Sequence, residues 1–213
     1  MLHIFFLIGF FFSIFAHSLE FSNYKNYNRT NVPFTLTETF NNQLSFPWGM
    51  TFVDESTLLI TEKHGRILKL DFATKNLSVI EHKIPFLKNN GSGQGGLLDI
   101  YCHDDGYIYF TYSHDFSKSK DFLTRSKESS TAIARGKLSG NKIEDLEILL
   151  IAQPKLKKNK HWGSRIIIKN NQLFAGFGER DEGMIAQDPT KHPGSIIRIN
   201  TDGSIPKDNP VFV

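Results

Sequence analysis

Eleven short apolar runs, each four to eight residues long, constrain this chain more than any other feature. They are Trp48–Phe52, Leu58–Thr61, Arg66–Asp71, Leu77–His82, Leu97–Cys102, Tyr107–Ser113, Thr131–Leu138, Glu144–Ile151, Arg165–Ile168, Leu173–Phe177 and Ser195–Asn200. Each is rich in β-branched and large apolar residues and is bounded by Gly, Asp, Glu or Ser, the pattern of β-strands. No stretch after the first residues holds a helical period for three turns, so the chain reads as all-β. The runs also repeat. Gly49-Met50-Thr51-Phe52 through Gly65-Arg66-Ile67-Leu68 is echoed by Gly163-Ser164-Arg165-Ile166 through Gly194-Ser195-Ile196-Ile197-Arg198. Gly49 and Gly96 lie 47 residues apart, and Gly163 follows 67 later across a 17-residue polar insert, His114 to Ser130, whose removal leaves 50. Four strands in about 50 residues is the size of a β-propeller blade. The expectation is about three four-stranded blades over residues 45–213. A blade buries its faces only by stacking on neighbours in a ring of typically 4 to 8, so three blades read as part of a longer ring. Thr35–Phe40 is a spare strand that could complete a final blade.

The first residues bear on compartment. Met1–Ser18 carries no Lys, Arg, Asp or Glu, and its apolar stretch Leu7–Phe15 is shorter than the roughly 20 residues of a membrane-crossing helix. Ala16 and Ser18 are small residues where a signal peptidase reads. Residues 1–18 are therefore expected to be a signal peptide, 19–44 an N-terminal segment, and the mature chain periplasmic or secreted without a membrane span. The formal charge of +3 is too mild for a dedicated nucleic-acid surface. Cys102, the single cysteine, reads as a small hydrophobe within its strand. Asn28, Asn76 and Asn90 would accept glycans only in a eukaryotic secretory route. Lys155, Lys157, Lys158 and Lys160 crowd just before His161, either as a solvated loop or as a positive rim that draws an anionic ligand.

Three places carry chemistry. His161 sits where a loop enters a strand; in a propeller that position faces the central cleft, and imidazole titrates near neutrality as a general base must. Gln94, in the glycine-rich stretch Gly91-Ser92-Gly93-Gln94-Gly95-Gly96, holds the equivalent place one blade earlier, with an amide that can both donate to and accept from a hydroxyl. Gly178-Glu179-Arg180-Asp181 offers a carboxylate that could orient a histidine, with Asp181 as the alternative to Glu179.

Taken in order, Gln94-Gly95-Gly96-Leu97-Leu98, His161-x-Gly163-x-Arg165, Gly178-Glu179 and Asp202-Gly203 through Asn209-Pro210 resemble the glucose/sorbosone dehydrogenase family of soluble quinoprotein aldose dehydrogenases, over roughly residues 44 to 212. The resemblance implies a six-bladed propeller that binds pyrroloquinoline quinone (PQQ) beside calcium and oxidises an aldose at its anomeric carbon to the lactone. It implies His161 as the base, Glu179 as the orienting carboxylate, Gln94 as a sugar ligand, and Arg165 with Lys160 as contacts to the quinone. Three departures stand out: Glu179 is one methylene longer than the family's Asp, Ser164 replaces a Gly, and Lys160 stands where some relatives carry an acid. The family's Arg-Asn-Pro element, calcium turn and later basic residues fall past the point matching Val213, so the chain is expected to be an incomplete copy. No metal ligand is assigned, the crowded Glu179, Asp181 and Glu182 reading as solvated. The electron acceptor is unknown. The competing class is a non-catalytic extracellular propeller that binds a glycan or protein; whether His161, Gln94 and Glu179 converge separates the two.

Overall fold

In the computed structural model the described residues are 43–88, 93–116 and 128–210. They carry eleven strands, one for each apolar run: β1 (Pro47–Phe52), β2 (Thr57–Glu62), β3 (Ile67–Asp71), β4 (Asn76–Ile80), β5 (Leu97–Cys102), β6 (Ile108–Asp115), β7 (Ser129–Ser139), β8 (Lys142–Ile151), β9 (Gly163–Lys169), β10 (Gln172–Phe177) and β11 (Ile196–Asn200). They form three antiparallel meanders, β1-β2-β3-β4, β5-β6-β7-β8 and β9-β10-β11. The third sheet has three strands among the described residues where four were expected. The expected insert is also narrower than read from sequence. His114 and Asp115 belong to β6, Ser129 and Ser130 to β7, and they pair as His114↔Ser130 and Asp115↔Ser129. The signal peptide and the spare strand Thr35–Phe40 lie outside the described residues. Among those described, no helix is long and apolar enough to cross a membrane.

The leading strands stack in series, β1 against β5 and β5 against β9, as the inner strands of successive blades do. A repeated threonine joins them. Thr61 Oγ1 accepts from Gly49 N (3.0 Å) and donates to Leu98 O of the next sheet (2.6 Å). Thr111, 50 residues later, accepts from Asp99 N (2.9 Å) and donates to Ser164 O (2.8 Å). Gly49 is glycine for a related reason: a Cβ there would stand 2.7 Å from Asp99 Oδ1.

Two cores fill the spaces between sheets. Leu59, Ile67 and Ile80 of the first sheet meet Ile100, Phe110, Tyr112 and Ala134 of the second. Tyr109 and Ile133, on the second sheet's opposite face, meet Ile166, Ile168, Leu173 and Phe177 of the third. A sheet buried on both faces needs nearly continuous apolar strands, which is why β6 reads Ile108-Tyr109-Phe110-Thr111-Tyr112. In contrast β9 alternates strictly between exposed and buried residues. Cys102 is half-buried and packs beside the first core; burial raises its thiol pKa.

Candidate active site

The site is built where the loop before β9 crosses the segment before β5. Gln94 N donates to Asn159 O (3.1 Å), and Gln94 Oε1 accepts from His161 N (2.7 Å). His161 is left-handed, with φ of 48°, a conformation a non-glycine residue keeps only when its surroundings enforce it. Its Nδ1 is hydrogen-bonded to Glu179 Oε1, which arrives from the turn after β10. That turn comes close because residue 178 is glycine: a Cβ there would collide with the His161 carbonyl oxygen. His161, Gln94 and Glu179 therefore do converge. The imidazole side chain is 42% exposed and the Glu179 side chain 29%, so the ring faces solvent while its far nitrogen, Nε2, is directed away from the carboxylate. The hydrogen bond from His161 holds the Glu179 carboxyl below the usual carboxylate range. A carboxylate on Nδ1 selects the tautomer in which Nε2 is the bare acceptor.

Asp181 does not share that role. It pairs with Lys158 (3.4 Å) and Lys160 (3.8 Å), and Lys160 foremost, then Lys158, lowers its pKa. The basic loop is thus partly neutralised, while the Lys155 ammonium stands 3.9 Å from the Phe116 ring centre.

Arg165 projects from β9, its side chain 69% exposed. Its Nη1 donates to Asp99 Oδ1 (2.8 Å) and its guanidinium lies 4.8 Å from the Trp48 ring centre. The three residues come one from each leading strand. Asp99 is buried, and its second oxygen accepts from Ile166 N (2.8 Å). Its role was missed in the sequence, although an acid inside Leu97-Leu98-Asp99-Ile100 signals a buried partner, since buried carboxylates are paired. Also missed was Arg180, which is buried against Trp162. Ser164 is buried with its carbonyl on Thr111 and its hydroxyl without a protein partner. Among the described residues no group of three His, Cys, Asp or Glu gathers as a metal site.

Residues 44–213 match the family described as Glucose / Sorbosone dehydrogenase. The chain is 31% identical over 177 residues to the aldose sugar dehydrogenase YliI of Escherichia coli (strain K12), a match covering 81% of this chain and 46% of that protein. It is 26% identical over 196 residues to quinoprotein glucose dehydrogenase B of Acinetobacter calcoaceticus, covering 79% and 40%. The solved structure of the soluble aldose sugar dehydrogenase from Escherichia coli in the apo-form superposes with a TM-score of 0.68 at 30% identity, over 78% of this chain and 47% of that one. The chain spans a little under half the length of each of these relatives. Because the match runs through all three sheets and both segments that meet at His161, the chain belongs to the glucose/sorbosone dehydrogenase family.

Proposed function

We propose that the whole protein is a PQQ-dependent aldose dehydrogenase, exported to the periplasm or secreted, which oxidises the anomeric C–OH of a sugar to the lactone. The observation that carries this reading is the convergence of His161, Gln94 and Glu179 from three segments far apart in sequence. Bound PQQ supplies a two-electron acceptor for the hydride of the anomeric carbon. The donor set suits its carboxylates: Arg165 and Lys160 are both exposed cations, and Arg165 is steadied by Asp99 and Trp48. Calcium, which the family resemblance also implies, has no ligand set among the described residues.

Glu179 accepts a hydrogen bond from Nδ1–H of His161, which keeps its proton, and so fixes the tautomer; Nε2 then takes the proton of the anomeric hydroxyl as the hydride leaves. The imidazolium so formed is stabilised by the adjacent carboxylate, and its exposure lets the proton pass on to solvent. Gln94 commits Oε1 to the backbone of His161, so its Nε2 group is the part that meets a sugar hydroxyl. The test is the full-length protein given PQQ, calcium, an aldose and a dye acceptor. Dye reduction with aldoses and none with the matching alditols is expected, with lactone as product. Glycan binding without dye reduction would return the chain to the non-catalytic class.

A further inference from the structure

We propose that Arg180 is a positioning residue that fixes the loop around His161, holding its backbone before the histidine and the Trp162 side chain after it, an inference that rests on the reading of His161 as the base. Its guanidinium is buried, and its donors go to the loop that carries the histidine. Nε donates to Lys160 O (3.1 Å) and Nη2 to Lys158 O, while Nη1 and Nη2 reach Ser129 O (3.3 Å) and Ser129 Oγ (3.1 Å) at the start of β7. The guanidinium carbon lies 3.2 Å from the centre of the Trp162 ring. One side chain thus grips residues 158, 160 and 162, alternate positions that bracket His161, and ties them to the second sheet.

Two features separate this from ordinary packing. An apolar side chain of similar volume would fill the space under Trp162 but leave the Lys158 and Lys160 carbonyls without these donors, and burial of a guanidinium is costly unless its hydrogen bonds are made. Burial lowers its pKa to about 10, which leaves it charged at neutrality. The second feature is its place beside Glu179. A single turn provides the carboxylate that holds the His161 ring and the guanidinium that holds the carbonyls just before it, so ring and loop backbone are set in register. Arg180 and Asp181 are themselves left-handed, with φ of 60° and 61°. From the other side, Gln94 Oε1 holds His161 N, and Asn159 Oδ1 accepts from Trp162 Nε1 (3.1 Å). The strained histidine is over-determined from both directions, as such conformations require.

The test uses the full-length protein with PQQ and three variants, Arg180→Met, Arg180→Lys and Ser129→Ala. Arg180→Met should lower kcat by about 10- to 100-fold, the effect of misplacing a catalytic group by about an ångström, with KM within about two-fold. Amide exchange at His161 and Gln94 should speed up by about ten-fold while the protection of β6 and β10 is retained. Arg180→Lys should fall between. If Arg180→Met does not fold, Ser129→Ala, which removes one acceptor, should still speed exchange at His161 by about five-fold, as one hydrogen bond of ordinary strength does. Should the unaltered protein oxidise no aldose, the dehydrogenase reading fails, and loop exchange with the Nδ1 resonance of His161 still decides the role of Arg180. A folded Arg180→Met protein with unchanged loop exchange, exchange rising equally in all three sheets, or a rise in KM alone would overturn the proposal.

Discussion

At the scale of single residues, Glu179 and Gln94 each act on His161 in a way that can be read by substitution. The hydrogen bond from His161 puts the Glu179 pKa in the folded chain below its unfolded value of about 4.3. Such a group contributes stability that is fully present above the unfolded pKa and is lost as pH falls through the lowered folded one. The gap in unfolding stability between the unaltered protein and Glu179→Gln should therefore be present at pH 7 and shrink toward zero below about pH 4, as measured by urea unfolding at both pH values. Gln94→Ala removes the proposed sugar contact and also the acceptor of His161 N, so it should raise KM and lower kcat together, each by about five-fold for one hydrogen bond of about 1 kcal/mol. A change in KM alone would mean that His161 keeps its place without the amide. His161, Gln94 and Glu179 were legible in the sequence because their motifs occur in order. That Gln94 binds the backbone of His161 was not, since 67 residues separate them and no local pattern encodes which atom of an amide is used. Arg180 was passed over because a charged residue between Glu179 and Asp181 reads as solvated; its burial depends on Trp162 and on carbonyls from a different loop.

At the scale of elements, the threonine latches hold the leading strands of neighbouring sheets together. Thr111→Val keeps the shape of the side chain but strips Asp99 N and Ser164 O of a partner inside the protein. It should cost about 1–3 kcal/mol, the penalty for leaving buried polar groups unsatisfied, seen as a lower denaturant midpoint with an unchanged m-value. A loss of under a few tenths of a kcal/mol would mean water replaces the hydroxyl. The same polar chemistry explains where strand reading stopped short. The β6–β7 hairpin continues through His114, Ser129 and Ser130, all buried, because their polar atoms find partners: Ser129 N donates to Leu156 O (2.9 Å) and Ser130 Oγ to Ala152 O. Hydrophobic patterning recognises strands that face a core, and it misses those whose buried side chains are satisfied by hydrogen bonds.

At the scale of the molecule, the 50-residue period was legible because each blade must present the same faces to its neighbours, and the three sheets follow it. The outer faces of the first and third sheets are less completely covered: Met50, Phe52 and Val79 on one, Ile167 and Ile196 on the other, are exposed. Residues 19–213 expressed alone should self-associate, since contiguous apolar patches are uncommon on soluble monomers; light scattering that finds a stable monomer at high concentration would refute this. The account as a whole turns on one histidine held by an amide and a carboxylate from different blades. Its most direct test is the PQQ-dependent turnover of His161→Ala in the full-length protein with a saturating aldose. A fall in kcat of about 10² to 10⁴, the worth of a positioned general base, with cofactor binding and folding retained, is the predicted result, and turnover equal to that of the unaltered protein would contradict it.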